Sequence, residues 1–257
     1  MKNNQSVEQF YDSLADEYDE MTSLEGRFAK ERPVFQSLVK KYGVATALDA
    51  GSGTGFHSLL LAQLGLQITA TDISEHMLRA TQKNAKQKGV RVETIQTSFI
   101  DVQKNVKKKY DAVFCLGNSL PHILKEKDLL HSLKGFYKVL NSGGQLFIQM
   151  LNYDRIMNNR ERIQSIKEVD EKIFVRFYDY EGKSIVFNIL TIQKNGKPMQ
   201  YSLNSIRLFP WRSSDIVRSL QDAGYGTIQL FGSMALDAYS ELSSKDLVIL
   251  AQRESEK

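Results

Sequence analysis

Leu48-Asp49-Ala50-Gly51-Ser52-Gly53-Thr54-Gly55 is the stretch that decides the fold: an apolar strand end runs into three closely spaced glycines, with a helical stretch over 56–64 directly behind. Glycines at such a turn let the backbone approach a ligand with no Cβ in the way, and the helix N-terminus beyond offers unpaired N–H groups. Residues 67–71, Gln-Ile-Thr-Ala-Thr, read as the next strand and end on Asp72. A carboxylate there can accept two hydrogen bonds from a vicinal diol such as that of a ribose.

Outward from this turn, strands over 45–50, 67–71, 91–95, 110–116 and 145–151 alternate with helices over 56–64, 74–87 and 125–140. Ser74 and Gly89 supply a start and a stop for the second of these helices. The alternation predicts an α/β fold, a mostly parallel sheet with helices on both faces. Ahead of it, Val7, Phe10, Tyr11, Leu14 and Tyr18 recur at helical spacing over 7–21. A second helix is expected from Arg27 or Arg32 to Lys41, with Pro33 in its first turn. Residues 1–44 therefore read as a helical lid.

After Leu151 the grammar changes. A short helix is expected near 152–164, then three segments rich in β-branched and aromatic residues (172–180, 184–193, 199–209), joined by Glu181-Gly182-Lys183 and Lys194-Asn195-Gly196-Lys197. This is hairpin chemistry, and it predicts an antiparallel β cap over 165–210 inserted into a ligand-binding domain formed by 45–164 and 211–257. A helix over 213–223 and strands over 225–231 and 246–252 complete that domain.

The chain's 257 residues, 42% hydrophobic and 25% charged, suffice for one good core with a small accessory layer. Net charge is +4, from 34 basic against 30 acidic residues. The densest basic run, Lys107-Lys108-Lys109, is short, which fits a solvated loop better than a nucleic-acid contact. The single cysteine, Cys115, excludes an internal disulfide, fits a reducing compartment and lies in an apolar strand where packing is its role. The N-terminus lacks an apolar signal core and no stretch approaches the ~18 apolar residues of a membrane span, so a soluble, cytoplasmic protein with no membrane partner is expected. Its four histidines and one cysteine show no ligand spacing, and no metal is expected. The oligomeric state is left open.

A dinucleotide fingerprint, G-x-G-x-x-G, would need a glycine where Phe56 stands. The compact G-x-G-x-G ending at Gly55, with Asp49 ahead of it, instead resembles motif I of the class I S-adenosylmethionine-dependent methyltransferases, a Rossmann-like family with a seven-stranded sheet that ends in a reversed hairpin. A narrower resemblance lies at residues 110–122, Tyr-Asp-Ala-Val-Phe-Cys-Leu-Gly-Asn-Ser-Leu-Pro-His. This is similar to the glycine and sarcosine N-methyltransferase branch, as are Asn152-Tyr153-Asp154 and the antiparallel insertion beyond them.

The resemblance implies S-adenosyl-L-methionine as cofactor and assigns roles. Gly51, Gly53 and Gly55 would form its loop, the Gly51 carbonyl receiving the methionyl ammonium, while Asp72 takes the ribose hydroxyls. Ile73 and Met77 would stand beside adenine, and Ser98 and Phe99 would flank it, with Ser98 at a position where many class I enzymes carry aspartate. Leu116 would offer its carbonyl, Arg27 would pair with the methionyl carboxylate, and Tyr18, with Tyr11, belongs to the lid. Met77 reads equally as core filler, Arg27 as a surface arginine, His122 as a helix cap and Trp211 as a packing anchor.

Transfer of a methyl group from a sulfonium is an in-line displacement: the protein must hold a neutral nucleophile about 3 Å from the methyl, exclude water and accept any released proton. Asn118, at the carboxyl end of the fourth strand, and His122 are the catalytic candidates. The motif Asn-Pro-Pro-Tyr, which marks methylation of planar nitrogens in other class I enzymes, is absent. A small-molecule methyl acceptor, with an amine nitrogen, is the leading expectation. An RNA or protein methyltransferase and a non-catalytic cofactor-binding protein are the rivals. In the glycine-methylating enzymes an arginine precedes Asn-Tyr-Asp; here that residue is Leu151, which predicts that glycine is a poor substrate and that Tyr178 or Tyr201 lines a pocket for a larger acceptor.

Overall fold

β1 (Thr46–Ala50) has four consecutive buried residues, the mark of a strand covered on both faces. The computed structural model, which describes residues 6–12, 24–195, 198 and 200–254, places this strand in the interior of a seven-stranded sheet, beside its middle strand. In chain order the elements are α1 (Val7–Asp12), α2 (Leu24–Tyr42), β1, α3 (Phe56–Gln63), β2 (Gln67–Asp72), α4 (Glu75–Lys88), β3 (Glu93–Gln96), α5 (Val102–Asn105), β4 (Tyr110–Cys115), α6 (Glu126–Val139), β5 (Leu140–Leu151) and α7 (Tyr153–Asn159). They are followed by β6 (Ile163–Val169), β7 (Lys172–Glu181), β8 (Ser184–Gln193), β9 (Gln200–Leu208), α8 (Ser213–Asp222), β10 (Tyr225–Phe231) and β11 (Asp246–Arg253).

The sheet order is β10-β11-β5-β4-β1-β2-β3. Pairings from β3 through β5 are parallel, while β11 runs antiparallel to both β5 and β10. Strand order reverses between β1 and β4, so a crevice opens at their carboxyl ends. One face is sealed by Phe35, Leu60, Phe114 and Phe147, the other by Leu133, Phe136, Ile148 and Leu220.

The four-stranded antiparallel sheet β6-β7-β8-β9 sits at that carboxyl end. Its Phe174, Tyr178, Ile189 and Ile206 share a cluster with Phe10 of α1 and Tyr153 of α7, and the Phe209 amide donates to the Pro121 carbonyl. Trp211 is an anchor here: it is buried, lies against Phe209 and donates its indole N–H to the Ile123 carbonyl.

Three boundaries differ from the sequence reading. The second helix starts at Leu24, which puts Pro33 in its interior; the missing backbone bond is offset by packing of Phe35 and Leu38, both buried. The helix expected over 152–164 stops at Asn159, where Arg160 takes a left-handed conformation, and a fourth cap strand, β6, begins at Ile163. That strand is an edge with an alternating, half-exposed pattern, so its apolar signal is weak. β5 begins at Leu140, because Gly143 and Gly144 continue the strand instead of ending it. Among the described residues no helix is long and apolar enough to cross a membrane.

Candidate functional site

The glycine turn is built by its neighbours. The Gly51 and Ser52 amides both donate to the Thr71 carbonyl at the end of β2, and the Gly53 amide donates to Asp72 Oδ2 at 2.9 Å. The Ser74 amide donates to Asp72 Oδ1 at 3.0 Å. From α4, Thr81 Oγ1 donates to the Gly53 carbonyl at 2.9 Å and Asn84 Nδ2 to the Thr54 carbonyl at 3.1 Å. The turn is thereby bolted to α4.

Above the turn lies a cavity of about 390 Å³. It brings together Arg27, Gly51, Gly53, Asp72, Ile73, Ser98, Phe99, Leu116 and His122 of the expected set, joined by Val7, Tyr11, Phe56, His57 and Ser119. Gly51 has φ +74°, and a Cβ built on it meets Phe99 Cζ at 3.0 Å and Ser119 Oγ at 3.1 Å. The space that a side chain would fill is the cradle that a nucleoside with an amino-acid tail requires. Burial drives the Asp72 carboxyl up, partly countered by the Ser74 and Gly53 amides, and the charge of Asp49 pushes it the same way as burial. Hydrogen-bond donors from a diol favour its ionised form.

Not all expected residues reach the cavity. Met77 is fully buried, its amide capped by Ser74 Oγ, and its side chain is core rather than a wall for adenine. Gly55 lies beneath the turn, where a Cβ would sit 2.7 Å from Thr81 Cγ2. Its glycine serves close packing of loop on helix. Asn118 is outside the lining: at φ +67° it donates from Nδ2 to Tyr153 Oη (3.0 Å) and accepts from the Leu151 amide (3.1 Å). Both ends of its amide tie the β4 loop to the end of β5. Tyr178 is buried in the cluster beneath the cap and Tyr201 is 73% exposed, so neither lines the cavity. Tyr18 lies outside the described residues. Ser98 does line the cavity and donates to Asp101 Oδ2 at 2.8 Å, while the Leu116 carbonyl accepts from Ser119 Oγ at 2.9 Å.

Asn152-Tyr153-Asp154 is a structural clamp. Asn152 Nδ2 donates to the carbonyls of Ser240, Glu241 and Ser244, and Asp154 Oδ2 accepts from the Ser213 amide and Tyr239 Oη.

At the inner wall, Tyr11 Oη and His122 Nε2 are 2.8 Å apart. Burial holds the His122 imidazole down to about 4, so it is neutral at physiological pH. His122 Nδ1 is buried and has no hydrogen-bond partner among the described residues. The unfolded imidazole titrates near 6.5. Between those values the unfolded chain binds the extra proton, and stability falls as pH drops from about 6.5 to 4, by up to roughly 3 kcal/mol. Denaturant melts of wild type and His122→Asn across this window are expected to show a steeper slope in the wild type; parallel slopes would refute the buried neutral imidazole. Glu31 acts in a lower window. Burial raises its carboxyl, but His57 and Arg27 outweigh that and draw it down to about 2, so its contribution is present above the usual 4.5 and lost only as pH falls toward 2.

Residues 47–144 match a family model described as a methyltransferase domain. A glycine/sarcosine N-methyltransferase of Halorhodospira halochloris is 27% identical over 253 residues, covering 96% of this chain and 90% of that protein. The glycine N-methyltransferase of Homo sapiens is 32% identical over 145 residues, 51% of this chain and 49% of the relative. Among solved structures, an S-adenosylmethionine-dependent methyltransferase from Clostridium acetobutylicum superposes with a TM-score of 0.80 at 16% identity, over 95% of this chain and 99% of that one. A sugar N-methyltransferase from Streptoalloteichus superposes at 0.71 and 18% identity, over 93% of each chain. Residues 47–144 thus form a methyltransferase domain, and the glycine turn, the carboxylate ending β2 and the reversed final hairpin give the chain the fold of the class I S-adenosylmethionine-dependent methyltransferases.

Proposed function

We propose that the enzyme methylates a neutral amine nitrogen of a small molecule bulkier or less anionic than glycine. The observation that carries this reading is one cavity, shared by the glycine turn and the Tyr11–His122 pair, at the sheet end where the antiparallel sheet packs. When bound, S-adenosylmethionine supplies an activated methyl group on a sulfonium. Asp72 holds the ribose diol, Gly51, Gly53 and the Leu116 carbonyl border the methionyl part, Arg27 takes its carboxylate, and Ile73, Ser98 and Phe99 border the adenine. His122, held neutral by burial and paired with Tyr11, forms an uncharged inner wall against which the neutral amine is oriented. Asn118 acts one step back, shaping the β4 loop.

The helices before residue 45 form the lid, 45–164 with 211–257 the cofactor-binding domain, and the antiparallel insertion over 165–210, together with β6, the acceptor cap. A cavity walled by α1 suits a small acceptor better than RNA or a protein surface. The single thiol, Cys115, is buried on β4 and fits a cytoplasmic enzyme. Leu151 is half-buried and apolar, so this position supplies no guanidinium fork for a carboxylate.

The test is steady-state methyl transfer to glycine, sarcosine and a series of larger amines. Turnover of glycine is expected at least about 100-fold below that of the best larger amine in kcat/KM, and Leu151→Arg is expected to gain glycine activity. Glycine as the preferred acceptor would overturn the substrate assignment. Loss of S-adenosylhomocysteine affinity by roughly 10- to 100-fold in Asp72→Ala, read by calorimetry, checks the cofactor site independently.

A further inference from the structure

Phe56 stands where a dinucleotide fingerprint would have glycine, and its ring has a second neighbour besides the turn. The Arg27 guanidinium carbon lies 3.9 Å from the centre of that ring. Arg27 Nε donates to Glu31 Oε1 at 2.8 Å, one turn along α2. Glu31 Oε2 is in turn 3.4 Å from His57 Nε2 on α3. Phe28 backs Phe56 edge-on with ring centres 4.9 Å apart, and Lys88 lies over the outer face of Phe28. The guanidinium is thus stacked on one face and hydrogen-bonded at Nε, while its terminal nitrogens make no hydrogen bond among the described residues. Arg27 and Phe56 both line the cavity.

We infer that Phe56 is a positioning residue for cofactor selectivity: with Glu31 it holds the Arg27 guanidinium flat, so that the two terminal nitrogens form a fork toward the amino-acid end of the cofactor. The inference rests on the proposed placement of the methionyl carboxylate at Arg27. A guanidinium is planar and matches a carboxylate two-on-two, but an exposed arginine must first be ordered. Stacking on an aromatic face supplies that order before the ligand arrives. The residue that removes the dinucleotide glycine therefore builds the alternative specificity. Glu31 remains ionised throughout the physiological range, which keeps the Nε contact intact.

The experiment compares two ligands by calorimetry. S-adenosylhomocysteine carries the carboxylate; 5′-methylthioadenosine has the same nucleoside thioether without the amino-acid end. Phe56→Leu is expected to weaken the first by about tenfold and leave the second unchanged, and to cause no further loss in an Arg27→Ala background. Equal losses for both ligands, or a Phe56→Leu effect undiminished in Arg27→Ala, would overturn the inference, because Phe56 would then act on the ligand or the fold directly. Arg27→Lys keeps the charge but loses the stacking plane; should Phe56→Leu not fold, unaltered S-adenosylhomocysteine binding by this variant overturns the inference just as well. If Arg27→Ala binds both ligands normally, the carboxylate assignment falls with it. If the wild type binds neither ligand, the failure lies with the cofactor site itself.

Discussion

Replacing Asn152 with alanine is expected to destabilise the enzyme by roughly 2–4 kcal/mol and to lower its melting temperature by about 5–10 °C. The side chain is completely buried. Its Nδ2 is shared among the Ser240, Glu241 and Ser244 carbonyls at 2.9–3.1 Å, and Oδ1 accepts from Tyr239 Oη and the Arg155 amide, which also caps α7. Alanine removes both ends at once. It takes the shared donor from three part-buried carbonyls, of which that of Ser240 keeps the Ser244 amide, and removes a helix cap worth about 1 kcal/mol. Chemical denaturation provides the measurement. A loss under about 1 kcal/mol would mean that the turn before β11 satisfies itself, and that the Asn-Tyr-Asp segment has a role at the acceptor instead.

The second large effect is expected at Gly55. Gly55→Ala is predicted to cost roughly 2–4 kcal/mol, against about 1 kcal/mol for Gly53→Ala. Both positions are left-handed, at φ +89° and +56°, so both variants carry the conformational penalty. The difference is the neighbour. A Cβ at Gly53 meets nothing within 4 Å, whereas at Gly55 it lies 2.7 Å from Thr81 Cγ2 and 2.8 Å from Thr81 Oγ1. Thr81 is fully buried and β-branched, with little freedom to turn away. Its hydroxyl also supports the Gly53 carbonyl, so Gly55→Ala should weaken cofactor binding as well. Thr81→Ser, which deletes the clashing methyl, is expected to restore part of the Gly55→Ala loss. Equal destabilisation by the two glycine variants would refute the packing argument.

The sheet was legible because its inner strands are short runs of small, β-branched and apolar residues that alternate with helices, and because Gly51, Gly53 and Asp72 stand at strand ends. The antiparallel insertion was legible from its turns. β6 was not: an edge strand with one solvated face has no strong pattern, and it follows a helix with no proline to mark the break. At the site, Arg27, Gly51, Gly53 and Asp72 border the cavity, while Gly55, Met77 and Asn118 do not. Met77 and Asn118 occupy expected positions in the chain, yet one points into the core and the other is consumed by Tyr153 and Leu151. The Arg27–Glu31–His57 chain and the Thr81 support join residues of different helices, and sequence spacing carries no information about such meetings.

The clamp between Asp154 and the start of α8 bears on how the family can diversify. The chain leaves the parallel core at Leu151 and re-enters it at Ser213, and the Ser213 amide is bonded to Asp154 at 2.9 Å. Exit and entry are thus welded together, with Arg212 reaching the Asp154 carbonyl as a second rivet. Everything between is a loop whose closure is already secured by the core. Doubling such a loop costs only about 0.6 kcal/mol. Strands can be added, shortened or reshaped there while the parallel core keeps its geometry, so the insertion is a cassette that can be exchanged without disturbing the glycine turn.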